Sequence, residues 1–179
     1  DSPFMGIAVV GRILEDIGLR VGIIGQPDIN SDVDIKRLGE PKLFWGVSGG
    51  SIDSMVSNYT ATKKFRNDDD YTPGGKNNKR PDRATLVYTN LIRRYFKNTV
   101  PIVLGGIEAS LRRLTHYDYW SNTLRKPILF DSKADYMIYG MGEQAIIDLG
   151  LYLKEGKDVR TIAGLCYISK EPVKEYLQI

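Results

Sequence analysis

At 179 residues, with 42% hydrophobic and 26% charged side chains, the chain suits one globular domain that buries its own core without disulfide or metal staples. A net charge of +3 is weaker than a dedicated nucleic-acid binder shows, and one cysteine with one histidine leaves too few donors for a disulfide, a zinc site or an iron–sulfur site built from this chain alone. No apolar run approaches the ~20 residues that span a bilayer, and the single thiol, together with a start unlike a secretory signal, sets the expectation of a cytoplasmic protein with no membrane partner.

From Gly6 to Gly18 the apolar residues Ile7, Val10, Ile13, Leu14 and Ile17 recur at helical spacing, with Gly18 placed to cap the end. Arg20 to Gln26 then reads as a short buried strand stopped by Pro27. A helix at residue 6 ahead of that strand needs a strand to feed it, so we expect the first strand of the domain upstream of residue 1 and the chain to be a fragment. Ser31 to Leu38 predicts a short helix, Leu43 to Val47 a strand ending in Ser48-Gly49-Gly50, and Ile52 to Tyr59 a helix. Residues 60–83 lose periodicity: lysine and arginine clusters flank Asp68-Asp69-Asp70 and Pro73-Gly74-Gly75, which reads as a polar, solvated and flexible insertion loop.

Helical spacing resumes from Arg83 to Lys97 and delivers the chain to Pro101-Ile102-Val103-Leu104, a buried parallel strand that ends in Gly105-Gly106. Ser110 to Trp120 is rich in arginine and aromatic residues. Pro127 to Asp131 reads as a short strand or extended segment, Ala134 to Tyr139 as a sheet strand ending in Gly140-Met141-Gly142, Glu143 to Leu153 as a helix, and Gly164 to Ser169 as a final strand before Pro172 and a charged tail. Helices between strands at this spacing predict one α/β domain over 1–179: a Rossmann-like, flavodoxin- or cobalamin-binding-like three-layer sandwich with a mainly parallel sheet.

Three strands that end in glycine predict one ligand-facing rim, because glycine lets bare amides approach a ligand. Its candidate cofactor-binding residues are Ser48, Gly49, Gly50, Gly105, Gly106, Glu108, Gly140, Gly142 and Glu143. Tight turns alone also explain such glycines. Glu108 can bond a ligand hydroxyl or cap a neighbouring amide, and Glu143 can be a helix-start charge. No Gly-x-Gly-x-x-Gly or Walker spacing occurs, so a nicotinamide or nucleoside-triphosphate enzyme is not supported. Arg112, Arg113, His116, Tyr117, Tyr119 and Trp120 combine charge with stacking surface and form the candidate interface; they suit a neighbouring domain, an anionic ligand or nucleic acid. His116 next to Asp118 can serve as a base or a corrinoid ligand, or as an ordinary hydrogen-bonded histidine. No residue is assigned a catalytic or metal-ligating role.

Five stretches together, Pro3 to Arg12 (PFMGIAVVGR), Arg80 to Thr89 (RPDRATLVYT), Leu104 to Arg113 (LGGIEASLRR), His116 to Ser121 (HYDYWS) and Asp131 to Asp135 (DSKAD), resemble the amino-terminal region of the YgiQ family of uncharacterised radical SAM proteins. The resemblance implies a cobalamin-binding-like domain followed by a radical SAM barrel that holds a 4Fe-4S cluster and S-adenosylmethionine. The Cys-x-x-x-Cys-x-x-Cys motif of that cluster is not in this sequence, nor is the Asp-x-His-x-x-Gly motif of cobalamin domains. No catalytic position therefore carries over, and a corrinoid would be held by the glycine rims without protein ligation. The expected function is an accessory module that covers the barrel of the same polypeptide and shapes a substrate or cofactor pocket. The alternative is a nucleic-acid-binding module that uses the insertion and the Arg112 to Trp120 segment.

Overall fold

A computed structural model describes residues 6–170. Its sheet is built from β1 (Trp45–Ser48), β2 (Ile102–Gly105), β5 (Tyr136–Ile138) and β6 (Leu165–Tyr167), in that spatial order. The first three strands run parallel and β6 pairs antiparallel with β5. A two-stranded antiparallel hairpin, β3 (His116–Asp118) with β4 (Thr123–Arg125), lies outside the sheet. The helices are α1 (Gly6–Asp16), α2 (Val33–Lys36), α3 (Ser54–Asn58), α4 (Ala84–Tyr95), α5 (Gly106–Leu111), α6 (Ile128–Ser132) and α7 (Glu143–Glu155).

The central strand β2 explains the layering, since successive residues of a strand point to opposite faces. Ile102 and Leu104 enter one core with Trp45, Val47 and Met137, covered by Leu91 and Ile92 of α4 and Ile128 and Leu129 of α6. Val103 enters the other with Ile138, covered by Leu14 of α1 and Ile146 and Leu149 of α7. The result is the expected α/β sandwich, with helices on both faces of a mainly parallel sheet.

Three local expectations are corrected. Arg20 to Gln26 forms no strand, and Ile23 is 54% exposed. Pro127 to Asp131 is not a strand: Pro127 stands at the N-cap of α6, and the Ile128 amide donates to the Arg112 carbonyl. A short apolar run such as Ile128 to Phe130 fits either state, and proline immediately before a helix tips it toward the helix. The insertion at 60–83 is no loose loop. Asp69 and Arg80 form a buried ion pair at 3.0 Å, Thr72 donates to Asp69, Asn77 donates to the Arg66 carbonyl at 2.9 Å, and bridges join Tyr59 to Phe65 and Asp68 to Lys76. Burial alone would raise the Asp69 carboxyl; donation from Thr72 and the Tyr71 amide, with Arg80 close by, brings it below the usual carboxylate range. Pro3 to Met5 of the first motif, and the charged tail after Pro172, lie outside the described residues.

Candidate functional site: the glycine rim and its buried carboxylate

The three glycine loops meet at the carboxyl ends of adjacent strands. Ser48 and Gly105 are register partners in β1 and β2. The Gly140 amide donates to the Ser110 hydroxyl at 3.2 Å, which ties the loop after β5 to α5. Gly106 has φ +80°, and a β-carbon there would lie 2.7 Å from Ser48 Oγ, so both its conformation and its surroundings require glycine.

Glu108 sits under this rim and is 1% exposed. One carboxylate oxygen accepts from the Ser54 amide at 2.8 Å, at the start of α3, and the other from the Thr85 amide at 2.9 Å, at the start of α4. One buried charge thus serves two helix amino termini, whose partial positive charge favours it. Gly49 makes room for it, since a β-carbon there would stand 2.6 Å from Glu108 Oε2. Of the two sequence-based roles of Glu108, amide capping is the one the geometry displays, and it is doubled. Ser54 Oγ also accepts from the Ala84 amide at 3.0 Å, which closes the junction between the two helices.

Arg112, expected at an interface, is instead folded inward: it pairs with Asp53 and donates to the Glu108 carbonyl at 3.1 Å. Asp53 in turn caps α3 by accepting from the Met55 and Val56 amides. Arg113 does face outward, with its guanidinium 5.3 Å from the centre of the Tyr139 ring. His116 bonds the Leu114 carbonyl through Nδ1 at 3.1 Å, its Nε2 is buried without a hydrogen-bond partner, and the residue lines a cavity of about 10 Å³, room for a single water, with Arg83, Arg112 and Arg125. Each of those three arginines already has a carboxylate: Asp118, Asp53 and Asp131. Gly142 and Glu143 begin α7, with Glu143 in its first turn as the dipole prefers.

Tyr119 and Trp120 leave the rim and join the insertion. Trp120 packs on Tyr59 at 5.3 Å and on Tyr119 at 5.4 Å, and Lys63 lies 4.6 Å over the Tyr119 ring. Tyr59, Lys63 and Trp120, with Met55, Asp82, Arg83 and Ser121, line an open cleft of about 320 Å³. Tyr117 points elsewhere and bonds Asn122. The structural importance of Asp53, Asp118 and Asp82 escaped sequence reasoning. An Asp just ahead of a helix was a readable signal for Asp53, whereas Asp82, which accepts from Asn58 and Tyr59, is visible only after folding.

As to metal, no group of three or more His, Cys, Asp or Glu able to hold an ion occurs among the described residues. Burial pushes the Cys166 thiol up, away from the thiolate a cluster would need. The residues described here therefore do not fit an iron–sulfur cluster.

The chain is similar to several known proteins. The family described as Radical SAM N-terminal matches residues 1–179. A UPF0313 protein of Fusobacterium nucleatum subsp. nucleatum is 60% identical over 180 residues, covering 100% of this chain and 32% of its own length. A UPF0313 protein of Thermotoga neapolitana is 52% identical over 182 residues with the same coverage, and one from Methanocella arvoryzae is 51% identical over 174 residues, covering 96% of this chain and 29% of its own length. The chain spans about a third of the length of these curated relatives. Among solved structures, the radical S-adenosylmethionine methyltransferase TsrM from Kitasatospora setae, with tryptophan substrate and a SAM analogue bound, matches with a TM-score of 0.60 at 20% identity, over 90% of this chain and 25% of that one. At that identity the likeness concerns the fold.

Two outcomes are expected. Glu108→Ala leaves two buried amides without acceptors and costs about 2–6 kcal/mol in urea unfolding; Glu108→Gln keeps one acceptor and loses about half as much, and Gly49→Ala, pressing on the same carboxylate, costs about 1–3 kcal/mol. Unchanged midpoints would remove the bridging role. For Asp118, burial raises the carboxyl but donation from Ser121 and Arg83 outweighs it and holds the group at about 2. Its folded value lies below the unfolded value of about 3.9, so its contribution is present above that pH and is lost as pH falls toward 2. Acid titration of stability is expected to be shallower between those limits in Asp118→Asn, and an identical acid limb would contradict the assignment.

Proposed function

The chain belongs to the Radical SAM N-terminal family, and from that premise we propose that it is the accessory module of a larger iron–sulfur, S-adenosylmethionine-dependent protein, docking on and covering the barrel of the same polypeptide. The observation that carries this reading is the apolar character of the rim. Met141 is 92% exposed, Leu114 66% and Leu111 61%, and on the adjoining hairpin Leu124 is 77% exposed. Met141 lies in the loop after β5 and Leu111 ends α5, which starts at the end of β2, while Leu114 precedes β3 and Leu124 lies in β4. Exposed large apolar groups can mark a surface that another body covers. The relatives extend to about three times the length of this chain, which supplies such a body in the same polypeptide.

In this arrangement Ser48 to Gly50, Gly105 to Glu108 and Gly140 to Glu143 form the wall of a pocket that closes against the barrel, and the cluster and S-adenosylmethionine belong to the barrel. The wall contributes backbone amides and a rigid base fixed by Glu108; Arg113 and Tyr139 stand at its outer edge. With Leu111→Asp and Met141→Asp in the full-length protein, the module should still fold, because neither side chain supports its core. Coupling between the two units should weaken by about 1.5–3 kcal/mol per side chain, seen as one calorimetric transition splitting into two and as faster amide exchange over 107–114. A single transition unchanged by both substitutions would refute the docking role.

A second reading, nucleic-acid binding, is favoured by one feature: the cleft in which Trp120 and Tyr59 meet Lys63 and Arg83 combines stacking faces with cations. Lys63→Ala and Trp120→Ala should then each weaken a salt-dependent mobility shift with single-stranded RNA by on the order of ten-fold. No shift at low salt would end this reading.

A further inference from the structure

We propose that the cleft beside Trp120 takes one guanine base, stacked against the Tyr59 and Trp120 rings and hydrogen-bonded along its edge to the Asp82 carboxylate, with the phosphate of the same nucleotide on Lys63. The proposal rests on the cleft of the nucleic-acid reading above and deepens that reading by naming the base. The base belongs either to a free nucleotide or to an unpaired stretch of RNA.

The polar groups of the cleft decide what it can hold. Two are already committed within the chain: Arg83 pairs with Asp118 at 2.6 Å, and the Ser121 hydroxyl donates to the same carboxylate and bonds Thr123 at 2.9 Å. That leaves Asp82 and Lys63 for a ligand. Each Asp82 oxygen accepts one bond, from Asn58 Nδ2 at 2.8 Å and from the Tyr59 hydroxyl at 2.8 Å, and a carboxylate oxygen has room for a second. Lys63 donates one of its three ammonium protons, to the Trp120 carbonyl at 3.4 Å. A ligand that satisfies both presents adjacent N–H donors to Asp82 and negative charge to Lys63.

The remaining lining is flat or apolar: Tyr59, Trp120 and Met55. Aromatic faces of this kind hold unpaired bases by stacking. The bond from the Tyr59 hydroxyl fixes Asp82 at the edge of that ring, so a base laid against the two rings has its own edge within reach of the carboxylate. Of the four RNA bases, guanine alone offers two adjacent N–H donors, N1–H and N2–H. Adenine and cytosine set an amino group beside an acceptor nitrogen, and uracil sets one N–H between two carbonyls. An acceptor facing a carboxylate is repelled, whereas the guanine pair matches both oxygens. The volume of about 320 Å³ lies at the lower end of the roughly 300–1,000 Å³ of small-molecule pockets, which suits one nucleotide.

The walls are built before any ligand arrives. Asn58, which holds Asp82, is 1% exposed and also donates to the Arg80 carbonyl at 3.2 Å. Phe65 packs edge-on against Tyr59 at 5.6 Å, and Tyr119, which packs against Trp120, donates its hydroxyl to the Ala61 carbonyl at 2.8 Å. Donation to Asp82 pushes the Tyr59 hydroxyl up, so it keeps the proton that holds the carboxylate. Walls ordered in advance reduce the entropy lost on binding.

Equilibrium dialysis of the full-length protein against guanosine, inosine and adenosine monophosphates tests the base. The guanosine nucleotide should bind about ten-fold or more tightly than the inosine nucleotide, which lacks the 2-amino group, and than the adenosine nucleotide, as expected when a bond to a charged acceptor goes unmade. Asp82→Asn keeps an acceptor for Asn58 and should erase that preference; Trp120→Ala, which leaves Asp82 in place, should weaken all three nucleotides by on the order of ten-fold. Lys63→Ala should weaken the guanosine nucleotide and leave guanosine, which has no phosphate, unaffected. A second arm compares a uridine-rich RNA carrying one guanine with the same RNA carrying adenine. A guanine preference that both Asp82→Asn and Trp120→Ala diminish upholds the proposal, and the arm that shows it identifies the source. Equal binding of guanine and adenine in both arms, a preference that survives either substitution, or no binding at all overturns it. Equal binding of the two RNAs that Trp120→Ala weakens overturns the base assignment alone and leaves the nucleic-acid reading in place.

Discussion

One buried carboxylate holds this domain in register. Glu108 follows β2 by three residues, yet its oxygens accept from Ser54, which follows β1, and from Thr85, where the chain returns from the insertion. Three stretches far apart in sequence thus share one acceptor. An ionised carboxylate buried without partners costs many kcal/mol, so it persists only with strong compensation. Two charge-assisted bonds at about 1.5–3 kcal/mol each, aimed from two helix amino termini, supply it. Dependence then spreads outward. Gly49 must lack a β-carbon to admit the carboxylate, Ser54 must keep its hydroxyl for Ala84, and Asp53 must stay placed to cap α3 and hold Arg112.

Burial of polar groups continues into the insertion. Arg80 and Asp69 pair out of solvent, Arg80 also reaches Ser57, and Asn58 reaches the Arg80 carbonyl and Asp82. The loop is therefore anchored to α3 by the same kind of interaction that anchors α3 to α5. Its first turn, where the Lys63 amide donates to the Thr60 carbonyl, holds Lys63 against Tyr119.

The strands and long helices were legible in the sequence because hydrophobic period encodes them: Ile102 to Leu104 alternates between two cores, and the helices α4 and α7 carry apolar residues at helical spacing. What period does not encode was missed. The order of the insertion comes from polar pairs and isolated bridges with no periodic signature, such as Asp69 with Arg80 and Asp68 with Lys76. The β3–β4 hairpin has three-residue strands, too short to show alternation, and turns through Asn122 at φ +55°. At Arg20 to Gln26 an apolar composition predicted a buried strand, but a ladder needs a neighbouring strand as well as a suitable sequence. Within the site, the glycine rim was legible because steric demand leaves glycine behind. The pairing of Arg112 was not legible because an inward and an outward arginine look alike in sequence; its carboxylate partner, Asp53, is fifty-nine residues away.

Charge pairing gives the rim its character as a surface. Arg83, Arg112 and Arg125 each meet a carboxylate from this chain, so the ion pairs near the rim are closed before any other body approaches. A body that covers Leu111, Leu114 and Met141 would remove apolar area from water while disturbing few hydrated charges, and the desolvation that weakens charged interfaces would be small. The cleft by Trp120 is built differently: Lys63 donates to the Trp120 carbonyl and lies over the Tyr119 ring. A cation beside aromatic faces suits an anionic group better than an apolar lid. The two surfaces therefore differ in the partner each can accept, and the difference follows from where the chain spends its aspartates: three on the arginines beneath the rim, and Asp82 in the cleft on Asn58 and Tyr59.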